Sequence, residues 1–193
     1  MTGYEAVLSD LDGVLRQFDE VRQREIEETY GLPLLKVAFD PARIEPAVLG
    51  HITRAQWLDS IAEGLGGGPA AVAAVRAFED VSFWVDEQVR ELLARAQQRV
   101  PVVLVTNAMD DLEESLDRLG LTHFADDVVN SSRVGVAKPD PRVYAIAAER
   151  AGVPAERCLF VDDRLGNVEA ARALGMTGVH YRQPADLAAA LGF

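Results

Sequence analysis

The sequence predicts an α/β fold, a parallel sheet with helices on both faces, interrupted early by an all-helical insertion. Short apolar segments bounded by turn residues recur along the chain as strand candidates. Between them lie segments whose apolar residues follow helical spacing, the alternation expected of parallel β-α units. Residues 16–85 break that alternation, with several helical signals and no strong strand signal. The pattern is that of a Rossmann-like three-layer core carrying an inserted α-helical cap.

The elements follow in order. Residues 4–8 form the first strand candidate and run into Ser9-Asp10-Leu11-Asp12-Gly13. In the insertion, a helix over 20–30 stops at Gly31 and one over 41–49 stops at Gly50, while Thr53 is placed to cap a helix through Trp57 and Ile61 to Leu65. Gly66-Gly67-Gly68 follows no strand and lacks the downstream Lys-Ser/Thr of a phosphate-binding loop, so it reads as a hairpin between helices. Residues 101–105 resume the strands, and a helix over 110–119 ends at Gly120. A weaker strand spans 127–130. Pro141, after Asp140, opens a helix through Val143, Ile146 and Ala147 to Gly152. Residues 157–161 and 177–181 are the last strands, separated by a helix over 167–174. This divides the chain into a core of residues 1–15 and 86–193 and a cap of residues 16–85. A block of that size is marginal for folding alone and is expected to pack on the core.

The bulk properties exclude several classes. With 193 residues, 49% hydrophobic and 26% charged, the chain supports a full apolar core, and wholesale disorder is excluded. The balance of 31 acidic against 19 basic residues gives a net charge of −12, which disfavours nucleic acid and anionic membranes as partners. The same field repels a phosphorylated ligand, so a phosphate site here needs local compensation by a metal ion or a placed lysine. Cys158 is the only cysteine and sits in an apolar run, as a core residue does. The first residues lack the basic flank and apolar segment of a secretory signal, and no apolar stretch is long enough to span a bilayer. A cytoplasmic location is the expectation. His51, His123 and His180 are too widely spaced to suggest zinc.

Loops at the C-terminal ends of parallel strands converge on one crevice. Here those ends carry Asp10 and Asp12, then Thr106 and Asn107, then Asp162 and Asp163, with Lys138 in a loop just before a helix. Any one of these alone reads as turn, helix-cap or surface material. Together they place four carboxylates at one site, which repel strongly unless a cation lies among them. Oxygen ligands with few histidines select a hard cation, magnesium first.

Asp10-Leu11-Asp12-Gly13-Val14-Leu15, Val105-Thr106-Asn107, Lys138-Pro139-Asp140-Pro141 and Phe160-Val161-Asp162-Asp163 resemble the four ordered motifs of the haloacid dehalogenase (HAD) superfamily. The likeness covers essentially the whole core, including the spacing Ser131, Gly135, Lys138 and the segment 167–171. The insertion is similar in type to the small helical (C1-type) cap of subfamily I. The resemblance implies a phosphatase of small organic phosphate monoesters, sugar phosphates among them, with Mg2+ as cofactor. It implies Asp10 as the nucleophile that forms an aspartyl-phosphate, and Asp12 as acid toward the leaving alkoxide and then base toward water. Thr106, the backbone around Asn107 and Lys138 would hold the phosphoryl oxygens. Magnesium would bridge Asp10, the Asp12 carbonyl and Asp163, with Asp162 a further or water-mediated ligand.

Two positions depart from the pattern: Val14 replaces the commoner Thr, and Asn167 stands where many relatives carry Asp. Three other functions compete. A dehalogenase of the superfamily needs neither magnesium nor an acid and typically lacks the second aspartate, which this chain keeps as Asp12. A phosphomutase would use the same carboxylates, but residues 16–85 carry no specific sugar-binding signature. A non-catalytic module that binds phosphate compounds or a protein would be expected to have lost one of these groups. Arg16, next to the site, and Arg43, His51 and Trp57 in the insertion are each open to two readings, substrate contact or packing and solvated structure.

Overall fold

The computed structural model describes residues 3–193. Strand β1 (Ala6–Ser9) is followed by a short strand β2 (Arg16–Phe18) and by helices α1 (Glu20–Tyr30), α2 (Leu34–Ala38), α3 (Pro41–Val48), α4 (Arg54–Gly64) and α5 (Gly68–Glu79). The chain returns through β3 (Phe83–Val85), then α6 (Glu87–Gln97), β4 (Val102–Thr106), α7 (Leu112–Arg118), β5 (Asp127–Asn130) and the one-turn α8 (Ser131–Val134). It closes with α9 (Pro141–Ala151), β6 (Cys158–Asp162), α10 (Leu165–Ala173), β7 (Thr177–His180) and α11 (Pro184–Leu191).

Five strands pair in the order β5-β4-β1-β6-β7, all parallel. Strand residues alternate between the faces of a sheet, and the two main apolar clusters follow that period. Val7, Val102, Leu104, Leu159 and Val161 face α6, α7 and α11. Ala6, Leu8, Val103, Val105, Cys158 and Phe160 face α9 and α10. The result is the three-layer α/β core expected from the alternation of strands and helices.

Helix ends obey the local signals. Asp140 accepts from Arg142 N, with Pro141 following it, and Gly152 closes α9 in the left-handed region. Thr53 and Gln56 form a reciprocal capping box at the start of α4. Leu65, Gly66 and Gly67 join α4 to α5, of which Gly68 is already the first residue. The helices α1–α5 bury two clusters of their own. One is built on Trp57, Ile61 and Val75, the other on Ile26, Leu34, Ala74 and Val81.

One expectation is corrected. Residues 16–85 do contain strands, at both ends: β2 and β3 pair antiparallel, with Arg16 opposite Val85 and Phe18 opposite Phe83. They have three residues each and are separated by five helices, so neither shows a period-2 run in sequence. The helices α6 and α11 lie in stretches for which no element is predicted.

Candidate active site

The order of the strands brings the predicted residues together. Because β1 lies between β4 and β6, the C-terminal ends of three neighbouring strands carry Asp10, Thr106 and Asp162. The register sets Ser9 beside Val161 and Leu104, so the next residue, Asp10, emerges level with Asp162. This is the point where the chain switches from one side of β1 to the other, the usual ligand crevice of an open α/β sheet.

Lys138 reaches this point from the loop after α8. Its Nζ lies 2.7 Å from Asp10 Oδ1 and 2.8 Å from Asp162 Oδ2, with all three side chains buried. The lysine loop is held by Asn107, whose Nδ2 donates to Lys138 O at 2.9 Å while its Oδ1 accepts from Lys138 N at 2.8 Å. Asn107 thereby fixes the loop that carries Lys138, using one of the two hydrogens on Nδ2. Burial pushes the Asp10 carboxyl upward, with Lys138 pulling it down and Asp162 pushing it up. Burial alone would lower the Lys138 ammonium, but the charges of Asp10 and Asp162 outweigh it and the net shift is upward.

Asp162 accepts from three groups. Oδ1 accepts from Arg164 N at 2.8 Å and Asn167 Nδ2 at 3.0 Å, and Oδ2 accepts from Lys138 Nζ and again from Asn167 Nδ2 at 3.0 Å. Asn167, which stands where many relatives carry Asp, ties down Asp162, and Tyr144 donates to its backbone carbonyl at 3.0 Å. Asp163 is half-buried, and burial followed by the Asp162 charge raises its carboxyl. A side chain at Gly13 would meet Asp163 Oδ2 at 2.5 Å, so the absence of a Cβ there lets Asp163 lie against the first motif. His180 binds the Asp163 carbonyl at 3.0 Å through Nε2; a carbonyl only accepts, so that nitrogen carries the proton.

Oxygens of Asp10, Asp162 and Asp163 lie within 4.8 Å of one another. Three carboxylates around one ammonium leave an excess of two negative charges, which fits a divalent cation held by oxygen ligands. Thr106 Oγ1 is buried and has no hydrogen-bond partner among the described residues, a donor free for a ligand oxygen.

The Asp12 carboxylate takes a different position, gripped by Arg16 through Nε at 2.7 Å and Nη2 at 2.9 Å. Arg16 is itself buried and donates through Nη1 to Ser115 Oγ on α7 at 2.7 Å. Arg16 lies near the site, as its place in the sequence implies, while its pairing with Asp12 carries no sequence signal. Ser115 was not foreseen, since nothing local marks it. Of the residues in the insertion, Arg43 donates to the Ser60 carbonyl at 3.2 Å and Trp57 Nε1 to the Ala38 carbonyl at 3.1 Å, so both are engaged in packing.

A parallel sheet with acidic groups and one buried lysine at its switch point defines a hydrolase of the haloacid dehalogenase type. Residues 4–175 match the family of haloacid dehalogenase-like hydrolases, and the chain belongs to it. It is 35% identical over 182 residues to Phosphatase MT3486 of Mycobacterium tuberculosis, covering 89% of this chain and 84% of that protein. It is 27% identical to the Phosphorylated carbohydrates phosphatase of Thermotoga maritima, covering 91% and 84%. Among solved structures, a HAD family enzyme of Bacteroides thetaiotaomicron in complex with magnesium and inorganic phosphate superposes with a TM-score of 0.74 at 23% identity. That match covers 90% of this chain and 92% of the other.

Proposed function

We propose that this hydrolase is a magnesium-dependent phosphatase that cleaves small organic phosphate monoesters, sugar phosphates foremost, through an aspartyl-phosphate on Asp10. The observation that carries the reading is the buried Asp10–Lys138–Asp162 cluster, with Asp163 within reach and an unpartnered Thr106 hydroxyl at the end of the neighbouring strand. The relatives named above as phosphatases, one of them of phosphorylated carbohydrates, support the substrate class.

Leu11 N and Lys138 Nζ both bind Asp10 Oδ1, so neither contact uses Oδ2, the oxygen we assign to attack on phosphorus. As the Oδ2–P bond forms, the ester P–O bond breaks and Asp12 gives its proton to the departing alkoxide. Thr106 Oγ1 donates to a phosphoryl oxygen and Lys138 neutralises charge on nucleophile and phosphoryl group. Water then attacks phosphorus, Asp12 takes its proton, and the bond to Asp10 breaks to release inorganic phosphate. A magnesium ion held by Asp10, Asp163 and the Asp12 carbonyl would offset like-charge repulsion between carboxylate and phosphate dianion. Asp162, bound to the lysine through Oδ2, orients Lys138. The helices α1–α5, with residues 16–85 as a whole, act as the cap over this site.

The test is turnover of p-nitrophenyl phosphate and a panel of sugar phosphates, with magnesium and with chelator. Activity that needs the metal and disappears in Asp10→Asn, with the circular dichroism spectrum unchanged, is the expected result. Wild-type rates in Asp10→Asn would refute the nucleophile.

A further inference from the structure

We infer that Arg16 is the positioning residue for Asp12, fixing the plane and reach of its carboxylate toward the leaving oxygen. This rests on the reading of Asp12 as the acid and base of the reaction. The guanidinium forms a two-pronged contact, one N–H to each Asp12 oxygen, at 2.7 and 2.9 Å. Such a fork sets orientation as well as distance, where one contact would leave the carboxylate free to turn about its last torsion. Each Asp12 oxygen keeps a second lone pair, so the fork leaves room for a leaving group or a water.

Arg16 is in turn held from three directions. It is the first residue of β2, its Nη1 is bound by Ser115 on α7, and its Cζ lies 4.9 Å from the centre of the Phe83 ring on β3. Arginine suits planar, two-pronged binding and stacking on an aromatic face in a way that lysine does not. The Arg16 side chain is 9% exposed and that of Asp12 35%. The anchor is buried and the group it holds remains open. A pair serving stability alone has no need of that asymmetry, since apolar residues packed on Phe83 would stabilise as well.

The experiment compares kcat/KM for an alkyl phosphate and for p-nitrophenyl phosphate, because that ratio reports the steps up to departure of the leaving group. Arg16→Ala removes the anchor, Arg16→Lys keeps the charge without the fork, and Ser115→Ala frees one edge of the guanidinium. Both Arg16 variants are expected to lose on the order of 10–100-fold on the alkyl phosphate and about threefold or less on the aryl ester, whose leaving group needs little proton donation. The alkyl loss lies in kcat, with KM nearly unchanged. Ser115→Ala shows the same selectivity at smaller amplitude. Equal losses on both substrates, or a loss confined to KM, would overturn the inference. Should Arg16→Ala fail to fold, Arg16→Lys and Ser115→Ala carry the same comparison. Asp12→Asn is run alongside. Selectivity in Asp12→Asn but not in Arg16→Lys sinks the role of Arg16 alone. Its absence in Asp12→Asn sinks the acid reading and the inference with it.

Discussion

Lys138 is the residue on which the charge balance of the site turns. Its ammonium touches two carboxylates that are themselves out of water, so deleting it leaves Asp10 and Asp162 facing each other without a counter-charge. Breaking a buried pair by removing one partner costs about 3–5 kcal/mol. Lys138→Met, which keeps the volume, is expected to lower unfolding free energy by an amount in that range, read from urea denaturation of the metal-free protein. A loss below about 1 kcal/mol, the range of exposed pairs, would mean that water reaches the cluster. The lysine was legible in sequence as a site candidate because it precedes a Pro-opened helix in an ordered set of motifs. Its partners were only partly legible. Asn107 hydrogen-bonds the backbone of the lysine loop and Asn167 the side chain of Asp162, contacts that only the folded sheet creates. Cys158 was legible as a core residue. It is fully buried, and desolvation pushes its thiol up to about 11, so it is an unreactive thiol.

Among the elements, the junction between α3 and α8 is where the helical segment meets the core most closely. Gly50, with φ at 75°, abuts the Ser132 carbonyl so closely that a Cβ there would collide with backbone. Nearby, the α4 residue Arg54 binds Asp110 through its backbone N–H at 2.8 Å, and Asp111 and Glu79 through its side chain at 3.2 and 2.7 Å. Gly50→Ala therefore meets both a strained φ and a fixed obstacle. It is expected to lower stability by about 1–3 kcal/mol and to increase proteolytic cleavage within 16–85, both measurable on purified protein. Unchanged stability and cleavage would show that the junction yields freely. On this side of the junction α3 and α4 were legible, since Gly50 and Thr53 are local stop and start signals, whereas the one-turn α8 was not. The strands β2 and β3 were not. Their pairing is long-range, and Phe83 and Trp84 are about half exposed, so no in-out alternation marks them.

Over the whole molecule, the net charge of −12 and the local excess of two carboxylates act in the same direction, against the compact metal-free state. A cation that binds the folded chain and not the unfolded one stabilises it by about 2.7 kcal/mol at a hundredfold excess over its dissociation constant. Magnesium is therefore expected to raise the thermal midpoint of the wild type, and to do so far less in Asp163→Asn, independently of any turnover. An equal rise in both proteins would assign the effect to general screening. At this scale the sequence was most informative. The alternation of strands and helices implies a parallel sheet with its C-terminal ends on one side, while the placing of β1 between β4 and β6 is visible only in the folded sheet. Among the described residues no helix is long and apolar enough to cross a membrane.

The chain leaves the core and comes back to it through a narrow joint. The Asp86 N–H donates to the Leu15 carbonyl at 2.9 Å, and just beyond it Arg16 pairs with Val85. Everything from α1 to α5 hangs between two residues that touch. A module joined in this manner can be exchanged like a cassette, its two ends already side by side, with the strands beneath undisturbed. On the function proposed above, the residues between Arg16 and Val85 can then change what is admitted to the site without moving Asp10, Lys138 or Asp162. Arg16, planted at the joint itself, belongs to both sides of it, its backbone in β2 and its side chain on Asp12.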